Sequence, residues 1–161
     1  MSRVPGVLAR AALLVLAVLL PSAWPAGLPR PDLVLLVVAA AALLHRPSTG
    51  LRVGLAGGWL LDLVPPGAEP LGASALTYAA AGLLLGLLRR ATAASPLLPW
   101  VATGLAAAAV LGVRGVASAA GLGWAPPTDL TWSWLMTMLV AVVALPTLMG
   151  LERALVERGW A

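Results

Sequence analysis

Apolar residues fill this chain in six long runs, and polar residues collect where the runs end. The runs cover residues 6–23, 32–45, 50–64, 71–88, 97–122 and 129–157. Each is too long and too continuously apolar for a strand, so each reads as a helix. The breaks carry proline and glycine: "PAGLPRP", "RPSTG", "PPGAEP", "SPLLP" and "GWAPPTD". No break is long enough to separate domains, so residues 1–161 form one domain. The second and third runs, about 15 residues each, are short for a ~30 Å hydrocarbon core. Pro146 should kink the sixth helix. Beyond it "LMGLERALVERGW" is amphipathic, with Leu151, Leu155 and Val156 toward lipid and Glu152, Arg153, Glu157 and Arg158 toward water.

Composition identifies the solvent. Hydrophobic residues make up 61% of the chain and charged ones 10%, against roughly a quarter charged in a soluble domain. The expected fold is therefore an all-α, polytopic bundle of six transmembrane helices in the lipid bilayer. All ten basic residues are arginine. With the N-terminus in the cytoplasm, Arg3, Arg10, Arg46, Arg52, Arg89, Arg90, Arg153 and Arg158 fall at cytoplasmic ends and only Arg30 outside. The positive-inside rule then puts both termini in the cytoplasm. Trp24, Trp124, Trp132 and Trp134 would sit at the outer interface, and Trp100 and Trp160 at the inner one. A cleaved signal peptide shares the basic start and apolar core of the first run, but "PSAWPA" is a poor small-residue cleavage site. The arginines form no basic stripe with interleaved aromatics, so no nucleic-acid partner is expected.

Among the charges within the apolar runs, Asp62 and Arg114 need partners most. Asp62 ends the third helix, at the negative end of its dipole. The nearest free donors are the first amides of the fourth helix, around Gly72, Ala73 and Ser74, which are unsatisfied and carry the positive dipole end. Asp62 is therefore read as a tie between the two helices, with Arg114, the one arginine inside an expected span, as the other candidate partner. Asp32 and Asp129 read as caps of the second and sixth helices. Tyr78 reads as packing and His45 as an interfacial residue. Small residues recur at four-residue spacing: Gly50, Gly54 and Gly58 on the third helix, Gly82 and Gly86 on the fourth, and Gly104, Ala108 and Gly112 on the fifth. Such faces let backbones approach in lipid, either within the bundle or against a partner.

Catalytic chemistry finds no assembled site. "GASA" at residues 72–75 resembles the serine motif of rhomboid-type proteases, but the lone His45 belongs at the opposite membrane face, out of reach as a base. There is no cysteine and no His-Glu-x-x-His motif, so no metal or cofactor is expected.

From residue 31 to residue 90 the chain resembles the MreD family, bacterial rod shape-determining membrane proteins. The carrying stretches are "PDLVLLVV", "RPSTGLRVGLAGGWLLDLV", "PLGASAL" and "AAGLLLGLL". The resemblance implies a fold similar to the substrate-binding subunits of energy-coupling-factor transporters. It also implies a non-catalytic subunit of the cell-wall elongation complex in the bacterial cytoplasmic membrane. Such a subunit binds the bitopic protein MreC and through it links MreB filaments to RodA and its transpeptidase. The alternative is the substrate-binding membrane subunit of a vitamin-type transporter, whose outward pocket would draw on Trp59, Asp62, Tyr78, Arg114, Trp132 and Trp134.

Overall fold

The structure, a computed structural model, describes residues 4–25, 27–64, 71–92, 94–121 and 127–159. Trp124, Trp160 and the turn at 65–70 lie outside the described residues. Six α-helices occur among them: α1 Val4–Leu19, α2 Leu33–Leu44, α3 Pro47–Leu63, α4 Ala73–Thr92, α5 Leu98–Ala119 and α6 Pro127–Glu157. A short 3-10 turn, Leu20–Ala23, extends α1.

Local chemistry sets the boundaries. Asp32 caps α2, its side chain accepting from the Leu35 amide at 3.0 Å. Arg46, extended because Pro47 follows, separates α2 from α3. Pro47 then occupies the first turn of α3, where a missing N–H costs nothing. Val64 is extended before Pro65 and closes α3. Gly121, at φ +79, follows the end of α5 in the left-handed conformation that ends many helices. Asp129 does not cap α6 from the loop. The helix begins at Pro127 and holds Asp129 in its first turn, where the dipole still favours an anion.

Helix α2 is the axis of the bundle. Its residues Val34 to Leu43 are all buried, and it touches α1, α3, α4, α5 and α6. Around it α1 meets α3, α3 meets α4, α4 meets α5 and α5 meets α6. An apolar helix with no polar face belongs inside a bundle. Short connections make successive helices run in alternate directions. One end of the bundle therefore gathers the start of α1, the end of α2, the start of α3 and the ends of α4 and α6, with Arg10, Arg46, Arg52, Arg89, Arg90 and Arg153. The other end gathers Asp32, Asp62 and Asp129.

Three helical segments, not six, are long and apolar enough to cross a membrane: Val4–Ala23, Leu98–Ala119 and Pro127–Glu157. The other three fall short for separate reasons. Helix α2 has 12 residues, about 18 Å of rise. Helix α3 has 17 and a high glycine content. Helix α4 has 20, but Ser74, Thr77, Tyr78 and the Arg89–Arg90 pair dilute its apolar character. Enclosure by protein is what lets so short a helix as α2 sit at the centre, because its ends need not reach lipid headgroups.

The last turns of α6 depart from the amphipathic expectation at Glu152 and Leu155. Glu152 and Leu155 are buried, while Leu151 and Val156 are exposed along with Arg153, Glu157 and Arg158. Glu152 turns inward because two basic side chains meet it there.

Candidate functional site

The glycines of α3 and α4 form one seam of backbone contact. A Cβ on Gly50 would lie 2.9 Å from the carbonyl carbon of Gly82. One on Gly54 would lie 2.6 Å from that of Tyr78, and one on Gly58 would lie 2.6 Å from Ala75 Cα. Gly86 closes the seam against Pro47, with a Cβ there 2.6 Å from Pro47 Cα. None of these sites has room for a methyl group. Gly104 is looser, its nearest neighbours being Met138 and Trp134, and it accepts from the Trp134 indole at 3.0 Å. Trp134 is thus tied into the α5–α6 contact instead of lying free at an interface. Gly112 has nothing within 4 Å, and Ala108 is exposed. The small residues therefore divide into an internal α3–α4 set and an outward pair on α5.

Asp62 locks the end of that seam. It is 5% exposed. Its Oδ2 accepts from the Gly72 amide at 3.0 Å and the Ala75 amide at 3.2 Å. Gly72, at φ +92, turns the chain so that these amides point back at α3. The free N–H groups of a helix start thereby satisfy a carboxylate that would otherwise be costly in lipid. Oδ1 has no partner among the described residues.

Arg114 makes no bond to Asp62. Its Nη2 donates to the Tyr78 hydroxyl at 2.7 Å and lies 3.8 Å from Asp32 Oδ2. The guanidinium also stands over the Tyr78 ring, 5.9 Å from its centroid. Tyr78 is 1% exposed and donates its own proton to Asp32 Oδ2. Asp32 therefore does two tasks, capping α2 with one oxygen and receiving Tyr78 with the other. Its amide donates to Thr137 Oγ1 at 2.8 Å. Near its aspartate-bearing end, then, the bundle joins α2, α4, α5 and α6 through one polar chain. Tyr78 reads from sequence as packing alone, yet its hydroxyl is the centre of this network. The available signal was depth: Asp32, Tyr78 and Arg114 all fall within about two turns of the same bundle end.

A second cluster lies at the arginine-rich end. Glu152, 2% exposed, receives Arg10 Nε at 2.9 Å and Nη2 at 2.8 Å, a two-pronged pairing. His45 Nε2 lies 2.8 Å from Glu152 Oε2 and 2.9 Å from Arg10 Nη2. A single ring nitrogen cannot accept from the guanidinium and donate to the carboxylate together. Which of the two it bonds depends on the tautomer of the ring. The cluster ties α1, the end of α2 and α6, and it closes the ring between α1 and α6. His45, read from sequence as an interfacial residue, is thus also tied into the end of the bundle.

Of the six residues a vitamin pocket would use, Asp62, Tyr78, Arg114 and Trp134 are bonded within the bundle, whereas Trp59 and Trp132 are exposed. Ser74 of "GASA" and His45 stand at opposite ends of the bundle, so they form no nucleophile–base pair. No protein-family model, curated protein or solved structure matches the chain.

Proposed function

We propose that this chain is a non-catalytic subunit of the bacterial cell-wall elongation complex, of the MreD type. It crosses the cytoplasmic membrane six times with both termini inside, in a fold like that of energy-coupling-factor substrate-binding subunits. It binds an MreC-like bitopic protein, and through it MreB filaments are linked to RodA and its transpeptidase.

One observation carries the reading. The polar and glycine residues that stand out in the resemblance have architectural tasks. Asp32 caps α2 and receives Tyr78, Gly50, Gly54 and Gly58 bring α3 against α4, and Asp62 holds the start of α4. Polar groups engaged in holding a bundle together suit a scaffold better than a turnover site. For a partner helix, the outward small residues Ala108 and Gly112 on α5 offer the close approach that association in lipid requires.

The test is co-purification with an MreC-like protein, read beside detergent melting. Gly112→Leu should lose the partner and keep its melting temperature, while Gly54→Leu should lose both. A wild-type chain that never retains the partner refutes the proposal. One that instead retains a vitamin-like solute and an energising ATPase is a transporter subunit. The topology is checked on this cysteine-free chain: single cysteines at Leu28 and Thr128 label from outside intact cells and one at Ser48 does not.

A further inference from the structure

Two cavities lie against α4 and α5, and the second also takes in the end of α2 and the later turns of α6. The first is an apolar groove of about 480 Å³, walled on α4 from Leu76 to Leu88 and on α5 from Ala102 to Val113. The second, about 520 Å³, lies at the arginine-rich end and is lined by Arg89, Thr92, Ser95, Trp100 and Arg153 over an apolar floor that includes Leu145 and Met149. Helical spacing puts one above the other. Leu85 and Arg89 are four apart on α4, as are Leu88 and Thr92, while Pro99 of the second cavity is three before Ala102 of the first.

The dimensions and charges of the pair match an amphiphile. The groove wall from Leu76 to Leu88 rises about 18 Å, close to half of a ~30 Å hydrocarbon core and so to the depth of one leaflet. The cavity at its foot holds two guanidinium groups from different helices. Among the described residues neither Arg89 nor Arg153 has a carboxylate within ion-pair distance. Arg10, by contrast, is fully paired with Glu152. The Ser95 hydroxyl accepts from the Leu97 amide at 3.4 Å and keeps its own proton to donate. Trp100 lines the same cavity, as an indole does at headgroup depth. An apolar transmembrane helix seated in the groove would leave both arginines without an anion. A phosphodiester with an acyl chain satisfies both halves.

We propose that the α4–α5 seam is a binding site for one anionic phospholipid. An acyl chain lies along the groove, and the phosphate is held by Arg89 and Arg153 with Ser95 as a further donor. Basic pockets between membrane helices recognise headgroups in this way. The site stands on the apolar character of these helices and does not depend on the partnership proposed above.

The experiment is native mass spectrometry of the full-length protein in nonionic detergent, titrated with dioleoyl-phosphatidylglycerol or dioleoyl-phosphatidylcholine. The wild type should retain the anionic lipid at least tenfold more tightly. Arg89→Gln and Arg153→Gln should each weaken it roughly fivefold, the scale of one arginine near an anionic headgroup, and the double variant should lose the preference. Arg90→Gln, one residue away and outside the cavity, should keep it. Ala109→Trp, in the groove wall, should weaken the dioleoyl lipid while leaving short-chain dihexanoyl-phosphatidylglycerol unaffected. Lipid-free melting temperature controls for folding in every variant. Equal retention of both lipids, or a preference that survives in the double variant, overturns the site. So does an Arg90→Gln loss equal to that of Arg89→Gln, which marks general surface charge. Displacement by millimolar glycerol phosphate would make the ligand a soluble phosphate and overturn the lipid assignment.

Discussion

Gly54→Ala adds a single methyl group where α3 and α4 meet backbone to backbone. The new Cβ would stand 2.6 Å from the Tyr78 carbonyl carbon and 3.0 Å from Ala79 Cα. Carbon atoms in ordinary contact sit about 3.5–4.0 Å apart, so the two helices must part locally by about 1 Å. No side chain can rotate away, because the obstructing atoms are backbone. Gly50 and Gly58 lie one turn to either side in the same seam, so the parting spreads along it and reaches the Asp62 tie. Overpacking of this kind costs about 1–3 kcal/mol, partly offset by alanine's better helix propensity, about 1 kcal/mol. The net expectation is a loss of up to about 2 kcal/mol. Gly112→Ala is the control: nothing lies within 4 Å of a Cβ there, so only the propensity gain remains. In detergent melts followed by tryptophan fluorescence, Gly54→Ala should unfold several degrees below wild type and Gly112→Ala at or above it. Equal melting of the two alanine variants would refute the seam as the source of stability.

Two further outcomes follow from the polar ties. Asp62→Ala removes the acceptor for the Gly72 and Ala75 amides and should cost about 1–3 kcal/mol. Asp62→Asn retains an acceptor and should lose less, so identical melting of Asp62→Ala and wild type would disprove the tie. Glu152→Ala leaves Arg10 and His45 facing each other without an anion, and should cost up to about 3 kcal/mol. Combining it with Arg10→Ala should cost less than the two single losses together, since both act on one interaction. Additive losses would show that the pair does not couple α1 to α6.

The helices were legible because their boundaries are written in local chemistry. Pro47, Asp32 and the Pro65–Pro66 pair fix ends that any tertiary arrangement must respect. Asp62 was legible for the same reason: its donors lie only ten and thirteen residues away. The other networks were not. Arg10 and Glu152 are 142 residues apart, and Tyr78 and Arg114 are 36 apart. Which face of α6 turns inward depends on how the ring closes, and periodicity alone placed Glu152 in water. That three of the six helices fall short of a lone span was legible for α2 and α3, whose runs are short, but not for α4. Apolar composition does not distinguish a helix that meets lipid from one, like α2, that other helices enclose.

Lipid exerts little hydrophobic force between helices, so close packing and polar ties must hold such a fold. This chain has few polar groups, and most of its partly buried ones are engaged in that task. Asp32, Tyr78 and Arg114 bind one another, Asp62 binds backbone, and Arg10, His45 and Glu152 form a closed set. The first and last of these sets join helices that are distant in sequence, whereas Asp62 joins the consecutive helices α3 and α4. What remains available for recognition lies on the periphery. It consists of the outward small residues of α5 and, at the foot of the α4–α5 groove, the arginines Arg89 and Arg153. The two rim features adjoin on α5, where Ala108 and Ala109 are neighbours on adjacent faces. A lipid held in the groove would therefore form one wall of the surface that a helix on Ala108 and Gly112 meets. Anionic lipid should then strengthen partner retention in the wild type and have no such effect in the Arg89→Gln, Arg153→Gln double variant. Equal strengthening in both would separate the two features.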